Sequence, residues 1–198
     1  QLPVNSMGLD WTQTEGTVWN GRMSGVYLNG QPIGDVDLAL RPMSLLMLTP
    51  EVEVQWGGAG GRGAGVIRLD GGAIEASDLR VEQRVSALES LSPELRAAGG
   101  IFRLSEGAFR IDNASCETAT GRLSADTLSL AAQQFGRDFS ELSGSLSCEN
   151  GSFRIEMSGS SASGDTMAID AEASLLGRST IEVVANTNDD DIETLLAN

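Results

Sequence analysis

The sequence lacks histidine and lysine, and all 13 of its basic residues are arginines. Without histidine, the chain has neither a Ser-His-Asp triad nor a metal site built on imidazole ligands. Without lysine, it has no Walker A phosphate loop, no Schiff base and no lysine general base. Serine is abundant, but the GxSxG nucleophile elbow is absent. We therefore predict no catalytic residue, no cofactor and a protein that is not an enzyme.

Positive charge is scarce, because 28 acidic residues outnumber the 13 arginines and give a net charge of -15. This balance argues against nucleic acid as a partner and against docking on an anionic membrane surface. The acidic run "NTNDDDIE" is not an EF-hand loop, because counting from Asn186 the sixth and twelfth positions hold Asp191 and Ala197. We attribute its acids to helix capping and solvation, and predict no metal ligands.

Long apolar runs and aromatic residues are also scarce. The run "MSLLML" falls far short of the roughly 18 residues that cross a bilayer. Because the chain opens with Gln1 and not Met, we expect residues upstream that carry a signal or a membrane anchor. Three Trp, one Tyr and five Phe are too few for a sugar-stacking cleft.

Alternation of apolar and polar residues is the main positive signal, and it is typical of half-buried antiparallel strands. It is clearest in "DVDLAL" at 35–40, "EVEVQW" at 51–56 and "TMAIDAEASLL" at 166–176. Less regular strands are predicted at 17–28, 66–70, 73–82, 101–104, 108–112, 120–130, 141–148, 152–158 and 179–186. A β-bulge is expected where the apolar parity shifts, between Ala76 and Leu79 and between Ala125 and Leu128.

Helical signals are few. In "RVSALESLSPELRAAGG", Ser86 with Glu89 resembles a capping box, Pro93 suits the first position of a helix, and Gly99 suits its end. The segments "RPMSLLML" and "DDDIETLL" each predict one short turn or helix.

Twenty-four glycines indicate turns and bulges. In "GGAGGRGAG", Gly58, Gly60 and Gly63 have the spacing of a dinucleotide-binding loop, but a strand follows in place of the required helix. We therefore interpret 57–65 as a flexible hairpin loop.

The two cysteines, Cys116 and Cys148, are too few for a zinc site and too far apart for a redox CxxC pair. An even pair in a β-rich chain favours a structural disulfide in an oxidising compartment. Two free buried thiols are the alternative.

The stretch "EGTVWNGRMSG" raises the choice between a ligand-binding loop and a strand. Trp19, Met23 and Tyr27 fall on one predicted face, so we interpret it as a strand anchored by Trp19. Gly21 and Gly25 on that face leave room for the indole or let the strand bend.

The segment "GTVWNGRMSGVYLNGQPIGDVDLALRPMSLL" resembles the start of the periplasmic region in the type II secretion system protein N family, also called general secretion pathway protein N. That family has the pattern G-T-x-W-x-G, a small-residue hairpin, and then L-G-x-V-x-W-x-L-x-P-x-x-L-L. The matching residues are Gly16, Thr17, Trp19, Gly21, Gly34, Val36, Leu40, Pro42, Leu45 and Leu46. Leu38 stands in place of the second Trp. Further on, "LSGSLSCENGSFRIEM" resembles a late strand pair of the family, and Cys116 resembles the partner of Cys148.

The resemblance implies a bitopic inner-membrane protein with one helix upstream of a periplasmic β-rich domain. It also implies a place in the apparatus that moves folded proteins across the outer membrane. Other secretion-system proteins would then be the partners, and the inner membrane would be reached through the upstream anchor. The family offers no binding-site motif to carry over.

We predict an all-β fold in which ten to twelve antiparallel strands form a sandwich, a partial barrel or a curled sheet, with one or two short helices. No domain boundary is visible, so residues 1–198 are predicted to form a single periplasmic domain. The predicted function is a non-enzymatic accessory or assembly component of type II secretion that acts through protein contacts. The alternative is a periplasmic module of the AsmA-like kind that binds lipid or another apolar ligand in a β-groove.

Overall fold

The computed structural model describes residues 9–28, 30–46, 48–58, 60–88, 93–134, 138–174 and 179–186. Within them, thirteen strands form one antiparallel sheet. The strands are β1 (Leu9–Asp10), β2 (Gln13–Gly16), β3 (Asn20–Leu28), β4 (Gln31–Leu40), β5 (Glu51–Gly57), β6 (Gly61–Asp70), β7 (Ala73–Arg84), β8 (Ile101–Asp112), β9 (Ser115–Ala125), β10 (Leu142–Glu149), β11 (Ser152–Ser160), β12 (Thr166–Ala173) and β13 (Ser179–Asn186). The predicted all-β class is confirmed.

The order of the strands in the sheet follows their order in the chain. Both β1 and β2 pair with β3, and from β3 to β13 each strand pairs with its neighbours in sequence. The described helices are α1 (Pro42–Leu46), α2 (Pro93–Ala98) and α3 (Thr127–Gln134), with a 3-10 turn at Val85–Ala87. The described residues therefore contain one strand and one helix more than the upper bounds that the sequence predicts.

The alternating sequences place their apolar side chains on one side of the sheet. Val36 in β4 lies opposite Trp56 in β5, and Leu38 lies opposite Val54. Asp37, between them, is directed to the other side and pairs with Arg22. We call the side that carries Val36, Val54 and Trp56 the apolar face, and the opposite side the charged face.

The parity shift in β7 is a β-bulge, as predicted. The register with β8 changes between Ala76, which faces Phe109, and Leu79, which faces Gly107. Asp78 at this point has a φ of 53°. The extra residue returns Leu79 to the apolar face, which keeps the apolar pattern continuous along the strand.

The predicted strand at 120–130 is wrong in its second half, because β9 ends at Ala125 and α3 begins at Thr127. Asp126 separates them: its side chain accepts a hydrogen bond from the Ile101 N–H at 2.6 Å, and its carbonyl accepts one from the Leu130 N–H at 3.0 Å. Leu128 and Ala132 have helical spacing, and Ala132 is buried. No bulge therefore lies between Ala125 and Leu128.

Apart from the cap at Ser86, the other helical predictions agree with the structure where it describes them. Pro93 is the first residue of α2, and Gly99 follows the last with a φ of 71°. The segment "RPMSLLML" contains α1. The predicted cap at Ser86 is wrong, because Ser86 lies inside the 3-10 turn, whose N-cap is Arg84. Its predicted partner Glu89 and the segment "DDDIETLL" lie outside the described residues.

The sheet curls toward its apolar face. Phe109 in β8 and Phe153 in β11 make an edge-to-face contact with ring centroids 5.4 Å apart, although two strands separate them in the sheet. Side chains stand nearly perpendicular to a sheet, and strands lie about 4.8 Å apart, so rings three strands apart meet only when the sheet bends. The described strands thus form one bent sheet that is not closed into a barrel, which agrees with the predicted curled sheet.

The main core lies inside this curl. Leu123, Ala125, Leu142 and Met157 form its buried centre. The partly buried residues around them come from β8 to β12 and from α3: Phe102, Leu104, Leu128, Leu146, Ile155 and Ile169. The apolar face is thus covered best over β8–β12, where α3 adds a second layer.

The glycine-rich segment 57–65 is mostly strand, and the predicted flexible loop is wrong. Strand β5 extends to Gly57 and β6 begins at Gly61. Gly63 lies directly opposite Trp56, whose indole occupies the space that a side chain would need. Gly63 therefore provides room for an aromatic ring. The segment after the glycines is strand β6 and not a helix, which excludes a dinucleotide-binding turn.

This packing predicts a specific effect of alanine at Gly63. The new Cβ would overlap the six-membered ring of Trp56, so Gly63→Ala should lower the free energy of unfolding by about 2 kcal/mol. Urea unfolding followed by tryptophan fluorescence measures this. Gly57→Ala is the matched control, since a Cβ there meets no heavy atom within 4 Å, and it should change stability by less than about 0.5 kcal/mol. Equal effects of the two substitutions would contradict the packing.

Candidate functional site

We use the name glycine-tryptophan motif for the pattern-matching residues at 16–21, its first half, and at 34–46, its second half. The first half forms the hairpin turn between β2 and β3. Gly16 has a φ of 105°, and a Cβ there would clash with the carbonyl oxygen of Asn20. Thr17 closes the turn: its N–H donates to the Asn20 carbonyl at 2.7 Å, and its hydroxyl accepts from the N–H groups of Trp19 and Asn20 at 3.3 and 3.2 Å. Glycine and threonine at these two positions are therefore turn residues.

Trp19 is not a strand anchor, and this prediction is corrected. It lies in the turn before β3, with 49% of its surface exposed. The predicted common face of Trp19, Met23 and Tyr27 also fails, because the register of β3 shifts between Met23 and Val26 and again before Tyr27. Gly25, with a φ of 60°, lies in this irregularity, so it does let the strand bend.

The second half of the motif continues through β4 into α1. Gly34 has a φ of 103° and passes so close to the β5–β6 connection that a Cβ would clash with the Gly57 carbonyl oxygen. Val36 is buried, and Pro42 is the first residue of α1. The Leu40 N–H donates to the Trp19 carbonyl at 2.9 Å and thereby joins the two halves. The motif therefore shapes the strands β2–β4, which lie at the N-terminal edge of the sheet.

Cys116 and Cys148 form a disulfide, with their Cα atoms 5.7 Å apart. Strands β9 and β10 pair only from Ala125 with Leu142 to Arg122 with Ser145, so the ladder is open where the cysteines lie. The bridge fastens this open end. The Cys116 N–H also donates to the Gly151 carbonyl at 2.8 Å, which ties β9 to the turn between β10 and β11.

Acidic and basic side chains alternate across the charged face. Glu51, Arg68, Glu75 and Arg110 occupy directly opposed positions on β5, β6, β7 and β8. The alternating ion pairs that we call the charge ladder run in the order Arg41, Glu51, Arg68, Glu75, Arg110 and Glu117. Exposed pairs contribute only about 0–1 kcal/mol each, so the ladder matters mainly for strand register.

Glu51 is the least exposed acid of the ladder, with 16% of its side chain accessible. Hydrogen bonding from Arg68, followed by the charge of Arg68 and the contact with Arg41, holds the pKa of Glu51 below its usual value. The same contacts raise the pKa of Arg68, and the hydrogen bond to Glu75 raises that of Arg110. The shifts of Glu51, Arg68 and Arg110 all favour the charged form of each group.

The lowered pKa of Glu51 predicts how stability depends on pH. Its carboxylate binds protons more weakly in the folded chain than in the unfolded chain, so its contribution is complete above the ordinary value of 4.5 and is lost as pH falls through the folded pKa. Urea unfolding from pH 7 to pH 3 should show a stability gap between wild type and Glu51→Gln that closes with acid. Glu141→Gln, the same substitution at an exposed position, is the control. A gap that keeps the same size from pH 7 to pH 3 would contradict the assignment.

The described residues contain no group of three or more Cys, Asp or Glu side chains that could hold a metal ion. No described helix is long and apolar enough to cross a membrane. The described part of the chain presents an apolar face, a charged face and two sheet edges.

Comparison with family models decides the family. The model of type II secretion system (T2SS) protein N matches residues 7–197, which is nearly the whole chain. The chain belongs to the protein N family of the type II secretion system. The glycine-tryptophan motif, both cysteines and all thirteen strands lie within the match, so the resemblance seen in the sequence is confirmed. No curated protein and no solved structure matches the chain.

Proposed function

We propose that this chain is a non-enzymatic accessory or assembly component of the type II secretion machinery, and that it acts through protein contacts at the periplasmic side of the inner membrane. Membership of the protein N family is the observation that carries the proposal. The proposal includes a single domain over residues 1–198, supported by a sheet that continues unbroken from β1 to β13. Its partners are other secretion-system proteins.

The disulfide supports the proposed compartment. Disulfides persist in oxidising environments such as the bacterial periplasm and are rare in the cytosol. The Cys116–Cys148 bridge fastens strands that backbone hydrogen bonds leave apart, so the chain uses it structurally. The proposal includes a membrane anchor upstream of Gln1.

Photocross-linking in the native host tests the proposal. A photoreactive amino acid is placed at exposed positions on the charged face and along both sheet edges of the tagged protein. We expect adducts with other secretion-system components and a loss of exoprotein secretion when the gene is deleted. An unrelated periplasmic protein with the same tag and probe is the control. Adducts that match this control, together with unchanged secretion, would reject the proposal.

A lipid-binding groove is the second candidate, and the incomplete cover of the apolar face favours it. Phe102, Leu104, Ile155 and Ile169 are only partly buried although they point into the curl. Native mass spectrometry of the purified protein separates the candidates. Lipid adducts that survive gentle desolvation and disappear after delipidation would favour the groove, whereas a single bare mass favours the contact protein.

A further inference from the structure

The two edges of the sheet are built differently. At the N-terminal edge, β1 has two residues and β2 has four, and the sequence of β2, "QTEG", is polar. Short polar edge strands protect a sheet against pairing with other chains. At the C-terminal edge, β13 has eight residues and carries a single charge, Glu182. Within the described residues, β13 pairs with β12 alone.

Strand β13 also exposes apolar side chains. Ile181 and Val183 extend the apolar face beyond Ala171 and Ile169 of β12, and they are 64% and 47% exposed. Val184 is exposed on the charged face. In an antiparallel edge strand, alternate N–H and C=O groups point away from the sheet and are free to pair. This edge therefore offers backbone donors, acceptors and apolar area together.

The charges beside this edge define what fits it. Three acidic residues lie directly opposite one another on β11, β12 and β13: Glu156, Asp170 and Glu182. These like charges follow one another across the strands, whereas acids and bases alternate in the charge ladder. The strands β10–β13 contain a single base, Arg154, which pairs with Glu149, Glu156 and Asp170. Within the described part of the chain, Glu182 has no ion pair.

We infer that β13 is a docking edge for an extended strand of a partner protein in which basic and apolar residues alternate. An antiparallel strand would place its basic side chain opposite Glu182 and thereby continue the alternation of charge. Its neighbouring apolar residues would cover Ile181 and Val183 on the other face. A second copy of this chain fits less well, since each copy carries a net charge of -15. The inference rests on the proposed function and adds the place and chemistry of the contact.

A pair of labelled peptides tests the inference on the whole protein. The probes are Gly-Ser-Val-Thr-Val-Arg-Val-Thr-Ser-Gly and the same peptide with Glu in place of Arg. Fluorescence anisotropy measures affinity, and amide hydrogen exchange locates the binding site. We expect the Arg peptide to bind roughly tenfold more tightly than the Glu peptide and to protect β13.

Charge reversal provides the decisive control. Glu182→Arg should invert the preference for the two peptides, and it keeps the fold because the new arginine faces Asp170. Glu15→Arg, a charge reversal on the exposed edge strand β2 at a position that faces Arg22, should leave the preference unchanged. Protection at β1 and β2, equal binding of both peptides, or dimerisation of the free protein through β13 would overturn the inference.

These outcomes are separable from those of the proposed function. If secretion components cross-link to the protein but neither peptide protects β13, the docking edge is wrong and the function stands. If the Arg peptide binds as expected, but no secretion component cross-links and deletion of the gene leaves secretion unchanged, the edge is real and the proposed function is wrong.

Discussion

Removing the Cys116–Cys148 bridge should lower the free energy of unfolding by about 4 kcal/mol. The cysteines are 32 residues apart, and a cross-link over that distance removes many conformations from the unfolded chain. The native state also depends on the bridge, because the ladder between β9 and β10 stops at Arg122 and Ser145. Urea unfolding of the Cys116→Ala/Cys148→Ala variant measures the loss.

Reductant supplies the control for this experiment. Wild-type protein unfolded with reductant should match the double-alanine variant, and the variant itself should be insensitive to reductant. If wild type has the same unfolding midpoint with and without reductant, and both thiols can be alkylated in protein from the native source, then the bridge does not stabilise the protein.

Leu123→Ala should be the next most damaging change, with a loss of about 3 kcal/mol. Leu123 is 4% exposed and lies in the centre of the core with Leu142 and Met157. Truncation leaves a cavity that strands β8–β11 cannot fill without losing register. Equilibrium unfolding in urea measures the difference from wild type.

Leu69→Ala is the matched control for this prediction, since Leu69 lies on β6 but is 51% exposed. The same truncation there should cost less than about 1 kcal/mol, because little apolar surface returns to water. Comparable losses at the two positions would show that the core is not centred on Leu123.

Alternation in the sequence predicts strands, faces and even one bulge, because side chains in a strand change face at every residue. The segments at 35–40 and 51–56 and the shift from Ala76 to Leu79 all follow this rule. It fails at Leu128, where apolar spacing alone does not separate strand from helix. Asp126 is the signal that could have corrected the prediction, since it stands where an N-cap belongs.

Glycine predicts local structure less reliably than alternation does, because a glycine can be required either for a positive φ or for space beside a large side chain. At Gly16 and Gly34 the backbone has a positive φ, which glycine adopts without steric strain. At Gly63 the requirement is space for the indole of Trp56, which lies opposite it on β5. This pairing can be predicted only when the register of β5 and β6 is known. The charge ladder and the unprotected edge at β13 depend in the same way on register, which local sequence does not determine.

Pairing between sequence neighbours has a consequence for how the chain acquires its shape. Among the described strands from β3 onward, each pairs with its neighbours in sequence, so it can pair as soon as the next strand has been synthesised. Most of these strands are joined by short loops, which close at small entropic cost, while the β7–β8 and β9–β10 connections are longer and contain α2 and α3. Folding rates rise as contacts become more local. A chain that is synthesised from its N-terminus can therefore add its strands to the sheet one after another. We expect that loss of β13 would leave the earlier strands paired.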